Sequence, residues 1–287
     1  MMEAFCPGHI SCIFQPCRGK TIVDTGSRGI GIRTGLGARA EVSERDDGKT
    51  IVFIDGTESE APVTRAAAEI LAPGKGFTIR VRNDLPVSQG FGMSAAGAAA
   101  AAVCIAEIEG RTPAEAYMAA HEADIRGGGG MGDAAAIASG FPCPVRNIPG
   151  MPPEGKVSDA GLDLGKISLG VAGPKMVTGS VLSDPARSEA IAAAAASAME
   201  GFLADPSESS LFRFSNAFSE NAGLESPEMS AALDALRSLG YGAGMCMLGN
   251  SIFSSAPVRV MRRILGPRAF VASCRPYSGG AAVIRRE

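Results

Sequence analysis

Residues 86–97 read PVSQGFGMSAAG, and their types and spacing suit the holding of an anion. Three glycines, a proline and two serines stand in it, and it runs straight into an alanine-rich stretch that is a strong helix former. Just upstream, FTIRVRND at 77–84 alternates apolar and polar residues, which predicts a strand. The order strand, glycine loop, helix leaves the first N–H groups of a helix over about 94–109 without intrahelical partners, at the positive end of its dipole. Phosphate is stabilised at such an end. Gly90 and Gly92 let the chain approach a bulky group with no side chain in the way, and the Ser94 hydroxyl can bond a phosphate oxygen or a metal-bound water. GxxxxGK[ST] is absent, and the dinucleotide pattern GxGxxG fails at its third glycine. The same glycines also suit a plain tight turn between strand and helix.

The elements that must position this loop are mixed. The first 60 residues read as short strands and turns, with segments such as ARAEVSE and TIVFID broken by Gly, Asp and Thr. Residues 63–72 suit a short helix. Thr112-Pro113 starts another, with Thr as N-cap and Pro in the first turn, running to about Arg126. A second glycine loop, GGGGMGDAAAIASG, then leads into helical residues. The Pro-rich segment 141–155, FPCPVRNIPGMPPEG, is the best boundary candidate and divides the chain into lobes of 1–150 and 151–287. Beyond it the pattern predicts a strand at 166–172 and helices at 184–204, 207–222 and 227–239. GAGMCMLGNSIFSS predicts a tight turn followed by one or two strands; a helix at 257–265 and strands at 268–274 and 280–285 complete the chain. Without regular βαβ alternation, the fold class is α+β with two lobes.

Composition excludes several classes. With 46% hydrophobic and 20% charged residues over 287 positions, the chain can build an ample core. A net charge of −3 and scattered Lys and Arg give no nucleic-acid surface. The apolar runs near 98–106 and 190–199 are too short to span a bilayer, and MMEAFCPGHI has no signal-peptide pattern. Seven cysteines form no CxxC pair; they read as buried thiols of a reducing cytoplasm, and Cys6, Cys12 and Cys17 are poorly spaced for a metal. A cytoplasmic protein that binds a small molecule and contacts neither membrane nor nucleic acid is the expectation, with a homodimer left open.

PVSQGFGMSAAG resembles the P-x-x-x-G-x-G-x-S-[SA]-A signature of the GHMP kinases, the galactokinase, homoserine kinase, mevalonate kinase and phosphomevalonate kinase superfamily. CPGHISCIF near the N-terminus is similar to that superfamily's first motif, and SLGYGAGMCMLGN at 238–250 to its third. PGHISCIF, GSRGIGI at 26–32, AHEADIRGGGGMGDAAA at 120–136 and the final GNSIFSS resemble the archaeal pantoate kinases within it. The resemblance spans roughly residues 5–255. It implies a two-lobed GHMP kinase fold, with a ribosomal-protein-S5-domain-2-like N-terminal lobe and a ferredoxin-like C-terminal lobe. It also implies transfer of phosphate from ATP, with Mg²⁺, to the primary hydroxyl of pantoate on a route to coenzyme A. Pro86, Gly90, Gly92, Met93, Ser94, Ala95 and Ala96 would hold the nucleotide.

Other site residues follow from the same resemblance. Asp133 ends the second glycine loop, where it implies a base or hydroxyl-orienting aspartate; an N-cap for the helix beginning AAAIAS is the bland reading. Two carboxylates compete for the metal. The subgroup's pattern has a glutamate where Asp124 stands, a departure here, whereas the superfamily spacing of eleven residues before the aspartate points to Glu122. They sit two residues apart on one helix, on nearly opposite faces, so only one should face the site, with Ser94 as a further ligand. Arg28, between Ser27 and Gly29, suits a carboxylate, or is a surface arginine in a turn. His9 either lines the pocket or bonds a backbone group, and His121 reads as a packed helix residue. Gly242 and Gly244 either wall the pocket or make a tight turn. Kinases of homoserine, shikimate or mevalonate are the near alternatives, and a non-catalytic nucleotide or metabolite sensor the distant one. A Rossmann oxidoreductase lacks its βαβ unit here.

Overall fold

The computed structural model describes residues 1–176 and 185–285, so residue 184, where a helix is expected to begin, lies outside the described residues. Two long strands, β1 (Met2–Cys17) and β2 (Gly26–Arg45), form the centre of the first sheet. They pair antiparallel over nearly their whole length, with register shifts at Pro7/Gly8 and Ser11/Ile13. The sequence breaks this region into short segments; the structure absorbs the glycines and Pro7 into irregularities of continuous strands. Such bulges bend a strand and re-aim its side chains without ending it.

Six further strands complete the sheet: β3 (Ile51–Ile54), β4 (Thr57–Ser59), β5 (Gly76–Asn83), β6 (Pro144–Ile148), β7 (Lys156–Asp159) and β12 (Ala282–Arg285). The order is β12-β1-β2-β5-β3-β4, with β6 pairing both β2 and β7. The Pro-rich segment is therefore not a linker. Its residues 144–148 are a strand, and Val145 and Arg146 within it are buried.

The helices α1 (Pro62–Leu71), α2 (Met93–Ile108), α3 (Pro113–Arg126) and α4 (Asp133–Ala138) belong to this half. α2 packs on β1 and β2 and between α1 and α3, and its residues 95–106 are all buried. A helix enclosed on every side needs small side chains for close approach, which explains AAGAAAAA. α3 starts with a complete capping box: the Thr112 hydroxyl accepts from Glu115 N, and the Glu115 carboxylate accepts from Thr112 N.

The second sheet has the order β11-β8-β10-β9, from β8 (Ile167–Val171), β9 (Ala243–Cys246), β10 (Ser251–Ser254) and β11 (Val271–Cys274). Its helices are α5 (Pro185–Ala204), α6 (Glu208–Asn221), α7 (Pro227–Ser238) and α8 (Val258–Leu265). The expected order of turn then strands is here strand, turn, strand, because residues 243–246 already pair with β10. α5 and α6 also pack on β1, so one buried cluster joins both sheets. The class is α+β. Among the described residues no helix is long and apolar enough to cross a membrane.

Candidate active site at the glycine loop

α2 begins without a side-chain cap. Its N-cap is Gly92, left-handed at φ 68°, and a Cβ there would lie 2.8 Å from the His9 carbonyl. Gly90 has φ 76°, with the Cys246 carbonyl 2.7 Å from where its Cβ would be. Glycine is required at both positions by backbone sign and by space together. The loop is held on two sides. His9 N donates to Phe91 O at 3.1 Å, the Ser251 hydroxyl donates to Gln89 O, and Asn250 N donates to the Gln89 side-chain oxygen at 3.2 Å.

The loop forms one wall of a cleft of about 590 Å³, which Gly90, Gly92, Met93, Ser94 and Ala95 all line. Pro86 starts the turn into the loop, and Ala96 faces the core. Across the cleft lie Asp124, Asp133 and the glycines 127–130, with Ser11 of β1, Lys175 and Met176, and the turn residues Met247 and Leu248.

Asp133 is the first residue of α4, but Gly132 holds the N-cap position and no side-chain cap bond forms there. The carboxylate is instead aimed at β1, with Oδ1 2.7 Å from His9 Nδ1. His9 is fully buried, and its Nε2 lies 3.1 Å from Arg146 Nη1. A guanidinium only donates, so His9 Nε2 accepts and its proton sits on Nδ1, donated to Asp133. Burial lowers the His9 pKa, against the raising effect of Asp133, which keeps the ring neutral. Burial also pushes Arg146 down to about 10, still a cation at neutral pH. Its Nη2 donates to the Ser11 hydroxyl at 3.2 Å. The chain Arg146–His9–Asp133 thus orients a half-exposed carboxylate at the cleft and places a buried positive charge behind it.

Two buried polar atoms beside this chain have no partner among the described residues: Ser27 Oγ and Arg146 Nε. A Cβ built at Gly132 would collide with the first and lie 2.8 Å from the second. Gly132 therefore closes over both atoms, which are sealed from solvent, and neither Ser27 nor Arg146 lines the cleft. Arg28 points elsewhere. Its Nε donates to Asn147 O at 3.2 Å and its Nη1 to the Gln15 side-chain oxygen at 3.4 Å, and it is not among the residues lining the cleft. Gly29 packs its backbone against β1 and Arg146.

Of the two metal candidates, only Asp124 reaches the cleft. Glu122 is ion-paired with Arg126 one turn along α3, away from it. Asp124 is 5% exposed and its Oδ2 accepts from Met131 N at 3.3 Å. Burial, and then the charge of Asp133, push its pKa up to about 7, against a lowering by the Met131 bond. The folded chain therefore holds this proton more tightly than the unfolded one, and stability falls as pH rises from about 4 to about 7, then levels off. In a chelator, Asp124→Asn should match the parent near pH 4 and melt higher at pH 8, by a difference worth a few kcal/mol. Thermal melts of both proteins across that range check this; a gap that does not grow with pH would refute it.

Gly242 and Gly244 are not brought to this cleft. Gly242 lines a separate depression of about 760 Å³ with Phe212 and Tyr241, and Gly244 packs against the Phe253 ring. The turn after them, at Met247 and Leu248, is what reaches the loop. His121 is buried, with Nε2 3.1 Å from Ile22 O. The residues that sequence reasoning missed are Ser11, Lys175 and Arg146. The one available signal for Arg146 was a lone arginine in the apolar run of PVRNI.

Oxygen donors dominate the cleft: the Asp124 and Asp133 carboxylates and the Ser94 hydroxyl. Among the described residues there is no cluster of three or more His, Cys, Asp or Glu able to cage a metal by itself. Such a sparse oxygen set fits Mg²⁺, which keeps several waters and shares its ligands with substrate phosphates.

Comparison with known proteins places this arrangement. Residues 61–141 match the model of the GHMP kinases N terminal domain. The chain is 30% identical over 268 residues to the pantoate kinase of Thermococcus kodakarensis, covering 88% of this chain and 87% of that protein. It is 28% identical over 260 residues to the pantoate kinase of Methanospirillum hungatei, covering 88% and 86%. Its fold matches a solved phosphotransferase related to the CoA biosynthesis pathway with a TM-score of 0.87 and 25% identity, over 99% of this chain and 98% of that one. The two-lobed α+β architecture is the GHMP kinase fold, and the protein belongs to the pantoate kinase family of these ATP-dependent phosphotransferases.

Proposed function

We propose that this chain transfers the γ-phosphoryl group of ATP to the primary hydroxyl of pantoate, giving 4-phosphopantoate for coenzyme A synthesis. The observation that carries the reading is the Asp133 carboxylate, held by His9 and Arg146 in the same cleft as the uncapped N-terminus of α2. In this reading the loop 90–95 and the α2 N–H groups bind the phosphates. Asp133 takes the proton of the primary hydroxyl as that oxygen bonds the γ-phosphorus and the bond to the bridging oxygen of ADP breaks. His9 keeps the Asp133 oxygen in place, and Arg146 in turn holds His9. Asp124 and Ser94 would hold Mg²⁺, which when bound neutralises phosphate charge.

The division of labour we assign is that residues 1–150 carry the loop and both carboxylates. Residues 151–287 close the cleft with Lys175, Met176 and the 247–248 turn, and lend β7 and β12 to the first sheet. We place the reaction in the cytoplasm, in keeping with seven free cysteines.

Release of ADP from Mg·ATP with pantoate, homoserine, shikimate and mevalonate tests the acceptor: turnover with pantoate alone is expected, and turnover with another acceptor instead would overturn the assignment. Ser94→Asp tests the phosphate site. Ser94 is exposed in the first turn of α2, where a carboxylate supports the helix yet repels phosphate. The variant should melt at or above the parent temperature and bind ATP about 100-fold more weakly. ATP affinity within threefold of the parent would mean the nucleotide lies elsewhere.

A further inference from the structure

Triphosphate carries several negative charges, and the cleft around the glycine loop contributes two carboxylates of its own. Among the described residues that line it, one side chain is a cation: Lys175. No described residue forms an ion pair or hydrogen bond with that ammonium. Arg146, the other nearby charge, is fully buried behind Asp133 and engaged with His9 and Ser11.

The backbone around Lys175 is tied down on both sides. Ala172 N and Gly173 N donate to Asn250 O at 2.8 and 3.1 Å, and Asn250 Nδ2 donates to Pro174 O at 2.7 Å. The buried Gln89 donates from Nε2 to Gly173 O at 3.1 Å while its side-chain oxygen accepts from Asn250 N. On the far side of the lysine, Met176 N donates to Ser88 O at 3.1 Å. Residues 172–176 are thus laced to the glycine loop itself, through Ser88 and Gln89, and to the turn that braces it. Such lacing costs conformational freedom at an exposed segment, and its effect is to fix the backbone from which Lys175 lines the cleft.

We infer that Lys175 is the cation that meets the terminal phosphate of the nucleotide and stabilises the charge that develops on it during transfer. The inference rests on the nucleotide binding in this cleft. Lys175 acts by hydrogen bonding and charge alone: its ammonium keeps its proton, and the hydroxyl proton goes to Asp133. Because the contact is with the terminal phosphate, it is made to ATP and largely lost with ADP.

The test compares ATP and ADP affinities, with kcat, for the parent, Lys175→Met, Lys175→Arg and Ser94→Asp. Lys175→Met should bind ATP about tenfold more weakly, bind ADP within about twofold of the parent, and lose about 100-fold in kcat. Lys175→Arg should recover most of both losses. A general structural fault would weaken the two nucleotides alike, so an unchanged ratio of ATP to ADP affinity in Lys175→Met overturns the inference. Ser94→Asp separates the two readings. If it abolishes binding of both nucleotides while Lys175→Met changes neither ratio nor kcat, the cleft stands and the role of Lys175 falls. If Ser94→Asp leaves nucleotide affinity intact, the location of the nucleotide falls and the inference with it.

Discussion

Asp133→Asn lowers kcat by about 1,000-fold at saturating ATP and acceptor, while the ATP dissociation constant stays within about threefold. The asparagine oxygen can still accept from His9 Nδ1, a bond of 2.7 Å in the parent, so the site keeps its shape and the melting temperature moves little. What is lost is the ability to take the hydroxyl proton and to orient the attacking oxygen with a full negative charge. The loss should persist at every pH, because an amide does not titrate. Steady-state kinetics beside equilibrium ATP binding decide the matter; a kcat within tenfold of the parent would remove Asp133 from the chemistry.

The second large effect concerns Arg146. Arg146→Met leaves His9 Nε2 and Ser11 Oγ without their donor and removes the buried positive charge behind Asp133. For the acceptor, kcat falls and kcat/KM drops about 1,000-fold, with ATP affinity close to that of the parent. Arg28→Met makes the contrast. That side chain bonds the Asn147 carbonyl and Gln15, and its loss should change kcat/KM several-fold at most. Methionine keeps most of the apolar volume of the arginine stem, but the two acceptors left without a donor cost about 1–3 kcal/mol each, so the variant should melt below the parent and its kinetics are read below that temperature. Acceptor titrations of the two variants side by side would reverse the assignment if Arg28→Met proved the more damaging.

These two arginines show why the support of Asp133 was hard to read. Arg28 sits in the glycine-flanked GSRG, a setting that advertises a binding loop, whereas Arg146 sits in the proline-rich FPCPVRNIPG, which reads as a linker. Both arginines stand in strands. Arg146 becomes a site residue because β6 pairs with β2 at Gly29, which lays it against β1 and His9. The partner is 137 positions away, and no local pattern encodes that distance. The carboxylates of α3 are a subtler case. Helical geometry already says that Glu122 and Asp124 face different ways, but not which way is inward. That depends on how α3 is rotated against α2 and the glycines 127–130, and Asp124 is the one turned in.

Local physics was enough for other parts. The strand before the loop, the uncapped helix after it, and the capped start of α3 all follow from residues within a few positions of one another. Such features depend on backbone sterics and on hydrogen bonds closed within one turn, so a single stretch of chain specifies them. The tie to phosphoryl transfer came from the resemblance of that loop and its companion motifs to the GHMP kinases, since the loop alone also suits a plain tight turn. The tertiary structure alone decided which carboxylate faces the cleft, which arginine stands behind Asp133, and which cation lines the cleft. Burial and close approach between distant segments make those choices, and they exist only once the two sheets have packed around β1.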